Sequence, residues 1–129
     1  MKQTFIIQEK PIAKQRPRFN GKHAYTPQRT VSYENIVSWS YKLAHKEKLN
    51  GSLKMCLKFN FKIPKSRKDV KVGDYYSQKP DIDNLCKAIQ DSLNGLAYDD
   101  DSQIVILESV KVWNTEDFTE VTIEEIGER

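Results

Sequence analysis

Lys79-Pro80-Asp81-Ile82-Asp83-Asn84-Leu85-Cys86-Lys87 is the stretch in which an extended lead-in becomes a helix. Pro80 fixes its own φ near about −65° and biases Lys79 toward extended backbone. Side chains two apart point the same way only in extended chain; in a helix they splay by roughly 200°. Asp81 therefore belongs to the extended lead-in, and Asp83 sits at or beside the N-cap, a position that aspartate favours. Leu85, Ala88, Ile89 and Leu93 then recur at helical spacing, and Asn94-Gly95 ends a helix predicted over about Asp83 to Asn94. Lys87 lies one turn after Asp83, so its ammonium can reach the same place.

Beyond the helix, Asp99-Asp100-Asp101-Ser102-Gln103 offers further carboxylates from a short loop. A lone aspartate before a helix is a cap, and a triple aspartate is usually a solvated turn. Taken together, three converging carboxylates repel one another unless a proton or cation neutralises them. A hard divalent cation such as Mg²⁺ suits oxygen ligands and keeps several waters. No Cys/His set has zinc spacing.

The pattern Lys79-Pro80-Asp81-Ile82-Asp83-Asn84-Leu85-x-Lys87-Ala88, then Asp91-x-Leu93-Asn94-Gly95 and Tyr98-x-Asp100-Asp101-x-Gln103-Ile104, resembles the RusA family of Holliday-junction resolvases. The match is dense over residues 79 to 105, and length and element order agree over nearly the whole chain. The resemblance implies Asp81, Asp83, Lys87 and Asp101 as catalytic residues, with Asp81, Asp83 and Asp101 on the metal. Asp99 is an extra acid beside the family's Asp-Asp-x-Gln. It further implies Mg²⁺, with Mn²⁺ able to substitute, a homodimer, and branched DNA, four-way junctions above all, cut by paired symmetric nicks in recombination and repair. A Mg²⁺ nuclease of flaps or other branches, or a non-catalytic DNA-binding accessory, are the alternatives.

The 129 residues suit one domain spanning 1–129. The net charge of +3 hides an asymmetry. Residues 1–80 carry 18 Lys+Arg against 5 Asp+Glu, whereas residues 81–129 carry 3 against 13. A basic front half suits a polyanion, and the acidic half suits a cation; the halves can also complement each other. Two cysteines, Cys56 and Cys86, are too few for a disulfide scaffold and fit a reducing cytoplasm. Neither a signal peptide nor a membrane span is expected.

In chain order, Thr4 to Gln8 reads as a first strand. Residues 9 to 29 are broken by Pro11, Pro17, Gly21 and Pro27 and interleave Lys10, Lys14, Arg16, Arg18, Lys22 and Arg29 with Phe19, His23 and Tyr25. Cations beside aromatic rings suit a nucleic-acid backbone and an unstacked base. A helix capped by Thr30 or Ser32 should run to about Lys48, with Ile36, Val37, Leu43 and Ala44 as its apolar stripe and Tyr33 and Trp39 or Tyr41 flanking it as core aromatics. Leu53 to Ile63 alternates strictly and is the clearest strand. Its wet-face lysines are available as a phosphate rail or as edge protection.

Residues 64 to 80 form a basic connection, with Lys65, Arg67, Lys68 and Lys79 as candidate DNA contacts, expected to be flexible without DNA. Ile104 to Trp113 is apolar on both faces, which suits a central strand or a subunit contact. Phe118 to Ile126 returns as the last strand after a turn at Asn114 to Asp117. The order βαβαββ predicts an α+β domain with two main helices packed on a small mixed sheet.

Overall fold

The computed structural model describes residues 1–25 and 27–127. Within them the elements run β1 (Lys2–Ile7), β2 (Arg18–Asn20), β3 (His23–Tyr25), α1 (Gln28–Ala44), β4 (Leu53–Lys62), α2 (Ile82–Leu93), a 3₁₀ turn (Asp101–Gln103), β5 (Ile104–Asn114) and β6 (Phe118–Glu125). The main sheet has the order β1-β6-β4-β5. β4 pairs in parallel with β5 and antiparallel with β6, and β6 pairs antiparallel with β1. The fold is α+β on a mixed sheet, as the element order predicted.

The strict alternation of β4 sets the layers. Leu53, Met55, Leu57, Phe59 and Phe61 are buried and form one core with Tyr33, Val37 and Tyr41 of α1 and Leu85, Ala88, Ile89 and Leu93 of α2. Each fully buried leucine or isoleucine on α2 contributes roughly 1.5–3 kcal/mol. Together Leu85, Ile89 and Leu93 fix the rotation of the helix, and this turns Asp83 and Lys87 to solvent. On the sheet's other face, Lys54 reaches Glu108 at 3.5 Å and pairs across strands with Glu124, while Lys58 pairs with Glu120. These lysines stand among acids, so they do not make a continuous phosphate rail.

The largest departures from the sequence expectation lie in α1 and in the segment before it. α1 begins at Gln28 behind Pro27, not at Thr30 or Ser32, and ends at Ala44 rather than Lys48. Thr30 is buried inside the helix, where its hydroxyl accepts the Gln15 N–H at 3.3 Å. The core-facing stripe of α1 is Thr30, Tyr33, Val37 and Tyr41, leaving Trp39 and Leu43 exposed. The tyrosines win because Tyr41 buries its ring and still donates its hydroxyl to the Glu47 carbonyl at 2.7 Å. Residues 18–25 form a small hairpin in place of the irregular segment expected from Pro17, Gly21 and Pro27.

β5 lies at the sheet edge rather than in its centre. Its C-terminal half is covered by the basic connection. Gly73 N–H donates to Trp113, Trp113 N–H to Asp74, and Tyr76 N–H to Lys111. Tyr76 stacks on Phe61 with ring centroids 3.8 Å apart and meets Trp113 edge-on at 4.6 Å. The connection expected to be flexible is therefore tied down along residues 73–76.

Candidate active site

The lead-in to α2 is held from below by β5. Lys111 Nζ donates to the carbonyls of Gln78 at 2.6 Å and Pro80 at 2.8 Å, and Tyr76 donates its hydroxyl to the Lys79 carbonyl at 3.0 Å. Asp81 follows as the N-cap with extended backbone (φ −68°, ψ 141°), yet its side chain makes no capping hydrogen bond. Asp83 lies in the first turn, where one carboxylate oxygen accepts the Asn84 N–H at 2.9 Å. Both aspartates are exposed, and among the described residues neither has a cationic side-chain partner within ion-pair distance. The helix N-terminus supplies positive potential beside them.

A cleft of about 590 Å³ opens at Asp81. Lys10, Arg29 and Lys79 line it together with Pro80, Asp81 and Asn84. The segment after β1 forms its other wall, and the Lys14 N–H donates to the Asn84 carbonyl at 2.9 Å. Three cations and one free carboxylate on a single concave surface can receive a phosphodiester and present an acid to it.

Further along α2, Asp83, Lys87 and Asp91 fall on one stripe at intervals of four. Lys87 Nζ lies 3.6 Å from Asp91. Asp91 also meets Lys14 Nζ at 3.5 Å, and Lys14 meets Glu34 of α1 at 3.2 Å. Lys14 thus joins α1 to α2, and its charge is neutralised inside the fold. Asp91 stands in the Asp91-x-Leu93-Asn94-Gly95 motif without an assigned role in the site, and sequence reasoning did not single out Lys111. Asp91 was detectable as the residue four after Lys87; Lys111 carries no local signal.

The 3₁₀ turn separates the acids of the Asp99–Asp101 run, giving structural partners to Asp99 and Asp100. Asp99 pairs with Lys48 at 2.8 Å. Asp100 caps the turn by accepting the Ser102 N–H at 3.0 Å, which holds its carboxyl below the usual range. Gln103 completes a capping box by accepting the N–H groups of Asp99 and Asp100, and it donates to the Gly51 carbonyl at 3.1 Å. Asp101 is left without such a task, half-buried next to Tyr98. Burial pushes the Tyr98 phenol up, and the charge of Asp101 pushes it further.

α2 runs antiparallel to β5. Lys111, late in β5, meets Pro80 before the helix, whereas the Asp101 turn precedes β5 and adjoins the later part of α2, where Tyr98 donates to the Gln90 carbonyl at 2.8 Å. Asp101 is accordingly displaced along the helix from Asp81 and Asp83. Among the described residues, no three acidic, histidine or cysteine side chains stand close enough to form a metal cage. The donor set is nonetheless all oxygen and, at Asp81 and Asp83, unpartnered. It fits a hard divalent ion that takes one or two carboxylates and retains waters.

The other basic candidates divide in two. Arg16, Arg18, Lys22, Lys65, Lys68 and Lys79 are exposed. Arg67 instead forks onto Asp69 at 2.8 and 3.0 Å and lies 5.3 Å above the Trp113 ring, so it braces the connection.

The chain is similar to known proteins over most of its length. The family model for endodeoxyribonuclease RusA matches residues 9–124. The chain is 32% identical over 136 aligned positions to YqaN of Bacillus subtilis (strain 168), a protein of uncharacterized function, covering 95% of this chain and 96% of that one. It is 36% identical over 78 residues to the crossover junction endodeoxyribonuclease rusA of Lactococcus phage r1t, covering 60% of this chain and 57% of the phage protein. The chain belongs to the RusA endodeoxyribonuclease family and is a nuclease.

Proposed function

We propose that this nuclease resolves Holliday junctions by paired symmetric nicks, using Mg²⁺ held by Asp81 and Asp83, with Mn²⁺ able to substitute; Asp101, expected from the sequence as a third ligand, lies further along α2 and is not placed on that ion. The observation that carries the reading is the pair of exposed, unpartnered carboxylates at the start of α2: Asp81, which lines a cleft with three cations, and Asp83 in the first turn of the helix. The crossover-junction name of the phage relative supports the choice of substrate. Nucleases of this family are generally divalent-metal dependent. When bound, such an ion neutralises phosphoryl oxygens and acidifies a water.

This chain's own residues do the rest. Lys10, Arg29 and Lys79 receive the phosphates beside Asp81. Asp81 or Asp83 orients the attacking water and accepts its proton. Lys87 balances charge on the phosphoryl group, and its pairing with Asp91 keeps the ammonium on the active face of α2. Arg16, Arg18, Lys22, Lys65 and Lys68 contact flanking DNA. Lys14 is left out of that set because Glu34 and Asp91 already neutralise it.

Two symmetric cuts call for two equal sites, which a two-fold dimer supplies. The open half of the β5 edge, where Val105, Ile106 and Leu107 are exposed, supports a subunit contact there. An uncovered apolar edge strand is otherwise prone to mispairing. We place the enzyme in the cytoplasm, where Cys56 and Cys86 remain free thiols; among the described residues no helix is long and apolar enough to cross a membrane.

The test is a nicking assay on synthetic four-way, flap and linear duplex DNA in Mg²⁺ and in EDTA. Paired symmetric nicks in the four-way substrate alone are expected. Equal cutting of flaps would replace resolution by a general branch nuclease, and binding without cutting would leave an accessory.

A further inference from the structure

The β2–β3 hairpin stands apart from the core. All six of its strand residues are exposed, and Phe19 is 75% exposed. Antiparallel register pairs Phe19 with Ala24, Arg18 with Tyr25 and Asn20 with His23. Directly paired residues share a face. One face of the hairpin therefore carries Phe19 and Ala24, and the other carries Arg18, Asn20, His23 and Tyr25. Gly21 makes the tight turn between the strands in the left-handed region (φ +66°). An aromatic ring on an isolated hairpin, left uncovered among the described residues, contributes little to folding and needs another explanation.

The surroundings name the occupant. From Lys10 to Tyr33 there are six cations, Lys10, Lys14, Arg16, Arg18, Lys22 and Arg29, and no acid. Only Lys14 among them is neutralised by an ion pair within the described residues. The hairpin also rises from the rim of the cleft. Gln15 and Arg29, at the two ends of the excursion, both line the cleft beside Asp81, and the Gln15–Thr30 hydrogen bond closes its base. Four extended residues from Gln15 bring Phe19 at most about 14 Å away, which is about four base steps at ~3.4 Å per step.

We propose that this hairpin is a base-stacking finger. Phe19 packs on a base left unpaired or unstacked where the DNA strands exchange, and Arg16, Arg18 and Lys22 hold the phosphates on either side. A stacking ring is indifferent to base identity but cannot reach the face of a base inside an intact duplex. The finger thus favours branched over linear DNA, a discrimination that the carboxylates do not provide. This rests on the nuclease reading above for its substrate.

The experiment uses the full chain in EDTA, where cleavage is blocked, with a four-way junction and a linear duplex each carrying 2-aminopurine at the corresponding position. Wild type is expected to change the fluorescence of the junction reporter and not that of the duplex. Phe19→Ala should abolish that change and weaken junction binding by about 5- to 150-fold, the range for one base–aromatic stack, with duplex affinity altered less than about twofold. Phe19→Trp should restore both. An unchanged reporter and unchanged affinity in Phe19→Ala overturns the finger. So does a Phe19→Ala protein that keeps the reporter change but sediments as a different oligomer, which would assign the ring to a subunit contact.

The two readings separate cleanly. Wild type that stacks the reporter but does not nick junctions in Mg²⁺ refutes resolution and leaves the finger standing. Wild type that nicks junctions, with Phe19→Ala behaving identically, removes the finger alone. A protein that binds neither DNA overturns both.

Discussion

Lys111 Nζ sits 2.8 Å from the Pro80 carbonyl, linking the edge strand of the sheet to the residue immediately before Asp81. The same ammonium bonds Gln78 and lies 5.5 Å from the centroid of the Tyr76 ring. A charged donor on two carbonyls fixes the lead-in more tightly than neutral bonds would.

Lys111 is therefore a positioning residue for Asp81. Lys111→Met should lower kcat by about 10- to 100-fold, the scale of a roughly 1 Å misplacement, while KM for junction DNA changes little. Lys111→Arg should recover part of the loss, because it keeps a charged donor. A Met variant with wild-type kcat, or one whose loss is entirely in KM, would contradict this role.

Legibility followed the range of the forces involved. The alternation of β4 and the spacing of Leu85, Ala88, Ile89 and Leu93 are local signals, and both elements appear where the sequence places them. The hairpin at 18–25 escaped because three-residue strands exposed on both faces have no apolar period; Asn20-Gly21 was its one available cue. The stripe of α1 was legible at Tyr33, Val37 and Tyr41, which are buried, but not at Leu43 and Ala44, which the last turn of the helix leaves exposed. At the site, the Asp-x-Asp pair and Lys87 were legible from spacing. Lys111 and the antiparallel run of α2 along β5, which displaces Asp101 from the pair, are long-range facts that no short window contains.

Lys14 and Arg18 should separate structure from DNA contact. Lys14→Ala removes two partly exposed ion pairs and should cost about 1 kcal/mol of stability by denaturant unfolding, with the salt dependence of DNA binding unchanged. Arg18→Ala should leave stability within about 0.5 kcal/mol and reduce the slope of log K against log salt by about one. The reverse pattern would return Lys14 to the DNA interface.

The buried tyrosines set an alkaline limit. Burial pushes the Tyr33 phenol up to about 12, so the unfolded chain releases this proton first, near pH ~10. The stabilisation is fully present below pH ~10 and is lost as pH rises toward about 12, a change of about 2–3 kcal/mol. Tyr98 is shifted in the same direction. Unfolding followed against pH should show stability falling across this window, together with a rise in tyrosinate absorbance. Tyr33→Phe should flatten the fall, and an unaltered profile would contradict the assignment.

The central claim is that Asp81 and Asp83 act on a metal ion at the cleft. The most direct measurement is junction nicking by Asp83→Asn in Mg²⁺, beside its junction affinity in EDTA. Nicking should fall by at least about 100-fold, on the scale of losing a group that stabilises transition-state charge, while affinity stays within about threefold of wild type, a difference below about 0.7 kcal/mol. Normal nicking by Asp83→Asn would contradict the account.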